Sequence, residues 1–347
     1  MATAEVTVMG GGIFGLAVAH ACATRGARVR LIEARAIGAG SSGGLVGALA
    51  PHVPENWNDK KQFQLESLLM AEAYWRGVEA ATGLPSGYAR LGRLQPLNED
   101  RAVALAQTRA DTAAEIWGMR AEWRVEPTNT QPNWAPTSAT GLMIRDTLSA
   151  RMQPRLAATA LAAALRELGG DIVLGEGNPQ GIVVWATGHA GLADLSAALG
   201  RNVGSGVKGQ SLSLQHDARD LPQLFVDGLH IVPHADGTVA IGSTSERTFD
   251  APDTTDAQLD SLHARAVAAC PALAGAPVVE RWAGVRPRAA TRAPMLGPWP
   301  DKPGHFIANG GFKIGFGIAP KVGEVMADLI LEGRDTIPVG FHVEANL

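Results

Sequence analysis

Glu5-Val-Thr-Val-Met-Gly-Gly-Gly-Ile-Phe-Gly15, with Arg28-Val-Arg-Leu-Ile-Glu33 shortly after it, carries the fold assignment. Glu5 to Met9 is short and β-branched, as a strand is. Gly10, Gly12 and Gly15 follow at G-x-G-x-x-G spacing, Ile13 to Arg25 has helical composition, and Arg28 to Ile32 is a second strand ending in Glu33. Each glycine has a mechanical reason. Gly10 allows a sharp turn, Gly12 lets a pyrophosphate approach the backbone, and Gly15 lets helix and strand pack closely. The helix N-terminus offers free N–H groups to phosphate oxygens, and Glu33 accepts from a ribose hydroxyl. FAD and NAD share the adenosine diphosphate half, so the motif by itself addresses either.

Working outward, Ala34 to His52 is a loop in which seven of nineteen residues are Gly or Ser. It is too apolar for a solvated linker and too glycine-rich for a regular element. It suits close approach to a ligand, with Ser41 and Ser42 as hydroxyl donors. A second glycine-rich loop lies about three hundred residues on. Gly304 to Ala308 is predicted as a strand, the loop Asn309-Gly-Gly-Phe-Lys-Ile-Gly-Phe-Gly317 follows, and a helix carries Val322, Val325, Met326, Leu329 and Ile330 on one face up to Gly333. Two glycine-fed helix N-termini fit a long, bipartite cofactor.

Between these ends the periodicity predicts helices over 61–81, 99–119 and 254–269, the last capped by Asp253. A further helix opens at Gln153-Pro154, with Leu156, Leu161, Leu165 and Leu168 as its apolar face. Loops or short strands fill 121–139. Strands are predicted at 171–174, 181–188, 207–215 and 278–282, with a hairpin of 229–233 and 238–242 around Asp236-Gly237. His234, beside that turn, is expected at the surface.

The chain has 347 residues, 46% hydrophobic and 18% charged, with net charge −4. That is a globular composition, with enough chain for one large or two medium cores. The charge speaks against a nucleic-acid or anionic-membrane partner. Two cysteines, Cys22 and Cys270, suggest neither a disulfide framework nor a thiolate metal site, and no metal is expected. No apolar run reaches 18 residues, and no signal peptide is visible, so a cytoplasmic protein is expected.

Taken in order, the blocks resemble the FAD-dependent D-amino-acid oxidase family, closest to its bacterial glycine oxidase-like branch. They are Val8 to Leu16, Ser41-Ser42 through Leu49-Ala-Pro-His52, Val183-Val-Trp-Ala-Thr-Gly188, Val207-Lys-Gly-Gln210, His230-Ile-Val-Pro233 with Gly242-Ser-Thr244, Trp282-Ala-Gly-Val-Arg-Pro287 with Pro294-Met-Leu-Gly297, and the final loop to Ala319-Pro320. The resemblance implies an α/β fold: a Rossmann-like, glutathione reductase-type FAD-binding domain from 1–74, 142–200 and 286–347. A second, α+β substrate domain on an antiparallel sheet would come from 75–141 and 201–285. It implies non-covalent FAD held by Gly10, Gly12, Ile13, Phe14, Gly15, Glu33, Ala34, Arg35, Ser41, Ser42, Val46, Gly47, Ala48, Ala186 and Gly188. Gly311, Phe312, Lys313, Ile314, Gly315, Phe316 and Gly317 would line the flavin ring.

By the same resemblance Arg286 pairs with a substrate α-carboxylate and serves catalysis by orienting it, because a planar fork matches a carboxylate. Lys313 sits where glycine oxidases tend to carry a second arginine, and it is assigned to the substrate, to catalysis with O2, or to solvent. His230 and His52 either bond a substrate amine or are satisfied core histidines. Between Leu174 and Gly181 relatives usually carry a longer excursion that contacts adenosine, and only six residues intervene here. The implied activity is amine or amino-acid oxidation, by hydride transfer to flavin N5, with O2 reduced to peroxide. A quinone- or carrier-linked dehydrogenase is the main rival. A tRNA-modifying oxidoreductase and a non-catalytic flavoprotein rank below it. The partners expected are a small amine or amino acid and O2; a homo-oligomer is left open.

Overall fold

The computed structural model describes residues 5–347. In chain order its elements are β1 (Glu5–Met9), α1 (Ile13–Thr24), β2 (Arg28–Glu33), β3 (Ala48–Leu49), α2 (Asp59–Thr82), β4 (Arg93–Leu97) and α3 (Asp100–Trp117). Then come β5 (Trp123–Pro127), β6 (Leu142–Asp146), β7 (Ala150–Arg151), α4 (Pro154–Glu167), β8 (Asp171–Leu174), β9 (Ile182–Trp185) and α5 (Gly188–Ala198). The remainder is β10 (Gly204–Gln215), β11 (Gln223–Val226), β12 (Leu229–Pro233), β13 (Thr238–Gly242), α6 (Ala257–Ala269), β14 (Val278–Ala289), β15 (Met295–Pro298), β16 (His305–Asn309) and α7 (Gly315–Glu332).

Two large sheets organise the chain. One has the order β15-β16-β9-β1-β2-β8 and is parallel from β16 to β8. The other has the order β14-β10-β13-β12-β11-β4-β6-β5 and is antiparallel except where β11 meets β4. The expected α/β fold with a second, mainly antiparallel sheet is therefore present. β1 is central because Val6, Thr7 and Val8 are all buried. Thr7 is tolerated there because its Oγ1 donates to the Gln180 carbonyl at 2.7 Å. Helix α1 is apolar all round and correspondingly buried. It packs against α7, and the approach is close: a β-carbon on Gly323 would meet the Ala17 carbonyl oxygen at 2.7 Å. This contact joins the two ends of the chain.

In the second sheet the pleat sorts side chains by a period of two. Leu212, Leu214, Ile231 and Ile241 turn toward α6 and its Leu259 and Leu262. Gly209, Ser211 and His230 turn the other way and line a cavity.

Several expectations are corrected. The strand expected to stop at Trp282 runs on to Ala289, paired with β10 from Gly204↔Ala289 to Leu214↔Val278. Pro287 does not end it, because β14 is an edge strand and a missing N–H costs nothing on the outer side. The segment boundaries at 142 and 286 thus fall on strands of the larger sheet, β6 and β14. Helix α6 begins three residues later than expected, and its cap is Asp256, not Asp253. The Asp256 carboxylate accepts from Gln258 N at 2.9 Å. On α4, Leu156 and Leu168 are exposed, and alanines complete the buried face because α1, α2 and the sheet approach too closely for larger side chains. His234 is 3% exposed, not on the surface; its Nε2–H donates to the Leu45 carbonyl at 2.9 Å, which ties the hairpin to the glycine-serine loop. No described helix is long and apolar enough to cross a membrane.

Candidate functional site

One cavity of about 810 Å³ runs between the two sheets. At one end are the β1–α1 turn and the tip of β2; at the other are β12, β14 and the loop before α7.

The turn end is built by close approach. Gly10 has φ +109°, and a β-carbon there would lie 2.4 Å from the Ala186 carbonyl oxygen. A β-carbon on Gly15 would lie 1.9 Å from the Gly10 oxygen. The turn can therefore exist only with both glycines. Gly12 by contrast meets nothing closer than the Ser42 Oγ at 3.3 Å, so its outer side is open to a ligand. Ser42 Oγ accepts from Ile13 N at 2.9 Å, which caps α1 and leaves the hydroxyl proton free to donate. Glu33 is braced by two backbone donors, Gly11 N at 2.7 Å and Arg35 N at 2.9 Å, and keeps acceptor capacity for hydroxyl groups. Gly175 to Asn178, the short connection after β8, also line this end. The abbreviated loop still closes the cavity beside Glu33.

These groups fit a dinucleotide. Open backbone at Gly12, a helix N-terminus, a serine hydroxyl and a braced carboxylate are what a pyrophosphate and a ribose require. Gly10, Gly12, Ile13, Phe14, Glu33, Ala34, Arg35, Ser41, Ser42, Val46, Gly47, Ala48, Ala186, Gly188, Gly311, Phe312, Lys313, Gly315 and Phe316 all line the cavity. Gly15, Ile314 and Gly317 do not. Gly15 is consumed by packing against Gly10, and Gly317 lies near Leu68. The two glycine loops meet directly: a β-carbon on Gly311 would touch the Phe14 ring at 2.8 Å.

The other end is cationic. Arg286 projects from β14 into a guanidinium seat. Its Nη1 donates to Ser243 Oγ at 2.7 Å, and its Nη2 donates to the carbonyls of Thr244 at 2.7 Å and Lys208 at 3.3 Å. Its Nε is buried without a partner among the described residues. Burial lowers its pKa to about 10, opposed in part by the charge of Glu246. Behind the seat, Lys208 and Glu246 form a buried ion pair at 3.7 Å. Gln210 Nε2 donates to the same carboxylate at 3.1 Å, and Thr244 Oγ1 also bonds to it. This network holds both acceptor carbonyls in place. Phe312 N donates to the Pro287 carbonyl at 3.0 Å, so the loop carrying Lys313 is tied to the strand carrying Arg286.

Lys313 is exposed as a residue, yet partial desolvation of its ammonium and then the Arg286 charge lower its pKa. His230 faces the same end. Burial, then the charges of Arg93 and Lys313, push its pKa down to about 3, so the ring is neutral at working pH. Among the described residues its Nδ1 has no partner. His52 does not line the cavity. Its ring and its backbone N–H are both taken by the Gln64 side-chain oxygen, so it is a satisfied histidine under α2. Sequence reasoning missed Gly209, Ser243 and Trp282 as site residues, though all three lie inside the quoted blocks.

A dinucleotide turn joined to a cationic pocket by one cavity, across a parallel and an antiparallel sheet, fits a dinucleotide-dependent oxidoreductase. The chain belongs to the FAD dependent oxidoreductase family, whose sequence pattern matches residues 5–329, and its cofactor is FAD. Over 98% of its length it is 28% identical to the bifunctional protein ThiO/ThiG of Nostoc sp. (strain PCC 7120), of which it spans 55%. It is 26% identical to the glycine oxidase of Geobacillus kaustophilus, over 96% of this chain and 94% of that one. The crystal structure of glycine oxidase from Geobacillus kaustophilus superposes with a TM-score of 0.84 at 23% identity, covering 98% of this chain and 99% of that chain. The chain therefore spans about half the length of the ThiO/ThiG proteins it matches and nearly all of a glycine oxidase.

Proposed function

We propose that this protein oxidises the C–N bond of a small amino acid or amine whose carboxylate is held by Arg286, with O2 as the electron acceptor. The observation that carries the reading is the Arg286 seat, a guanidinium fixed by three hydrogen bonds at the opposite end of the cavity from the dinucleotide turn. The likeness to glycine oxidases supports the same class of substrate.

FAD held by the β1–α1 turn, Ser42 and Glu33 would supply the two-electron acceptor for a hydride from the substrate's Cα and a route for those electrons to O2, with hydrogen peroxide formed and the imine hydrolysed by water to a keto acid and ammonia or a smaller amine. The residues of this chain do the rest. Arg286 fixes the carboxylate, which orients the Cα–H. His230, neutral down to about pH 3, offers a hydrogen bond to the amine without adding charge beside it. Glu246 is engaged by Lys208, Gln210 and Thr244, so it does not act as a base. None is needed if the amine binds deprotonated. The N-terminus of α7 carries a partial positive charge that favours electron-rich groups placed against it.

The test is anaerobic. Glycine, sarcosine, D- and L-amino acids and simple amines are added to the yellow protein, flavin bleaching is followed, and air is then admitted with a peroxide assay. Bleaching with prompt reoxidation and peroxide supports an oxidase. Bleaching without peroxide makes it a dehydrogenase. A protein that takes up no FAD overturns the reading.

A further inference from the structure

We propose that the Arg286 end of the cavity selects a dianionic substrate, an amino acid or secondary amine with two carboxylates, one seated on Arg286 and the other on Lys313. The proposal rests on the preceding reading of Arg286 as a carboxylate anchor and narrows its substrate class.

Three cations surround one ring. The Arg286 guanidinium lies 5.6 Å from the centroid of Phe312, the Lys313 ammonium 5.8 Å and the Arg288 guanidinium 5.9 Å. Arg286 and Arg288 are two residues apart on β14 and so share a face, while the β14–loop bond from Phe312 N to the Pro287 carbonyl fixes the ring between them and Lys313. Among the described residues, none of the three has a carboxylate oxygen within 4.0 Å, whereas Arg93, Arg109, Arg155 and Lys208 nearby in the fold each have one. Glu246, whose field reaches Arg286, is already shared by Lys208, Gln210 and Thr244.

The ring quadrupole attracts each cation but carries no net charge. Arg286 and Lys313 also repel each other: after burial, the Arg286 charge is what lowers the Lys313 pKa. A monocarboxylate neutralises one of them and leaves the other without a carboxylate partner among the described residues, at an electrostatic cost that the exposure of Lys313 softens. A second carboxylate removes that cost. The division of labour suits the two side chains. Arg286 is a braced, planar fork for the invariant α-carboxylate. Lys313 is a point charge on a flexible stem, which follows a distal carboxylate whose position varies with chain length. The common ring places the two charged groups at most roughly 11.4 Å apart, the sum of their distances to its centroid, within reach of a short amino diacid making one charge-assisted contact at each end.

The experiment uses the FAD-loaded protein and measures binding apart from turnover. Acetate, propionate, malonate and succinate are titrated while the flavin absorbance shift is followed, in the wild type, in Lys313→Met and in Lys313→Arg. Reduction rates are then compared for D-aspartate, D-glutamate and iminodiacetate against D-alanine, glycine and sarcosine. The expected result is a dissociation constant at least about tenfold lower for diacids than for monoacids, a ratio that falls toward one in Lys313→Met and is kept by Lys313→Arg, whose charge does the same work. Equal affinities in the wild type, or a diacid preference that survives in Lys313→Met, overturn the proposal while leaving the Arg286 anchor standing. If no carboxylate perturbs the flavin at all, the anchor itself is wrong and the dianion proposal falls with it.

Discussion

A β-carbon on Gly209 would lie 2.2 Å from Nη2 of Arg286, so the guanidinium occupies the space that the missing side chain of its neighbouring strand leaves. Gly209→Ala must therefore push Arg286 off its carbonyl acceptors on Thr244 and Lys208. Each hydrogen bond to a charged group is worth about 1.5–3 kcal/mol. The variant is expected to fold and to bind FAD, with KM for an acidic substrate raised roughly ten- to a hundredfold and kcat changed less. Steady-state kinetics with FAD content measured in parallel decide it; an unchanged KM would show that the seat does not set affinity.

Arg286 itself separates charge from shape. Arg286→Ala is expected to weaken carboxylate substrates by one to several orders of magnitude while FAD stays bound. Arg286→Lys keeps the charge but cannot reach Ser243 Oγ and two carbonyls with a planar fork, so it should recover only a small part of the loss. Rates of anaerobic flavin reduction against substrate concentration measure both. Equal kinetics for wild type and Arg286→Ala would remove this residue from the site.

At the other end the prediction concerns the cofactor. In Gly15→Ala the new methyl would sit 1.9 Å from the Gly10 carbonyl oxygen, backbone that cannot swing aside. The turn must open, and FAD retention after gel filtration should drop to a small fraction of wild type, with a lower melting temperature. A yellow, stoichiometric Gly15→Ala protein would contradict this account of the turn.

His230 makes stability fall in acid. Its folded-state pKa is about 3 against an ordinary 6.5, because burial and then the Arg93 and Lys313 charges disfavour the imidazolium. Between those two values the unfolded chain binds a proton that the folded chain refuses, so stability drops as pH falls below about 6.5. At pH 5 the contribution is at most about 2 kcal/mol, less where water in the cavity screens the ring. Urea midpoints at pH 7.5 and pH 5 should differ less in His230→Asn than in wild type. His52 and His234, also lowered chiefly by burial, act in the same direction and leave a residual slope.

Below the site, Arg93 and Asp146 form a pair at 2.8 Å with almost no exposure, and Asp146 also accepts from Ser149 N at 2.8 Å. Asp146→Ala leaves a buried guanidinium uncompensated, which costs about 3–5 kcal/mol. Denaturant unfolding should register that loss with little change in the flavin spectrum. A loss below about 1 kcal/mol would mean that water compensates Arg93.

Local rules made much of this legible. The β1–α1–β2 unit could be read because its key contacts fall within one short stretch of chain, Gly15 against Gly10 and Glu33 with Gly11 N, even though Gly10 also answers to the distant Ala186. The ends of α2 and α7 could be read because Gly83 and Gly333 stop helices by their own backbone preferences. The start of α6 was misread because Asp253 and Asp256 are equivalent as letters. Only the hydrogen bond from Asp256 N to Gln210 Oε1, across to β10, selects the later one.

The sequence by itself determined the dinucleotide turn, the parallel strands beside it and the presence of a second glycine-fed helix, since these depend on spacing and composition along the chain. Tertiary structure alone decided what the charged residues do. Nothing local says that Lys208 is buried against Glu246, that His52 is spent on Gln64, that His234 lies inside, or that Arg286 and Lys313 share the ring of Phe312 without an acid between them. The reason is physical. A charge is defined by its neighbours and its distance from water, and here those neighbours come from strands and loops brought together only when the two sheets close on one cavity.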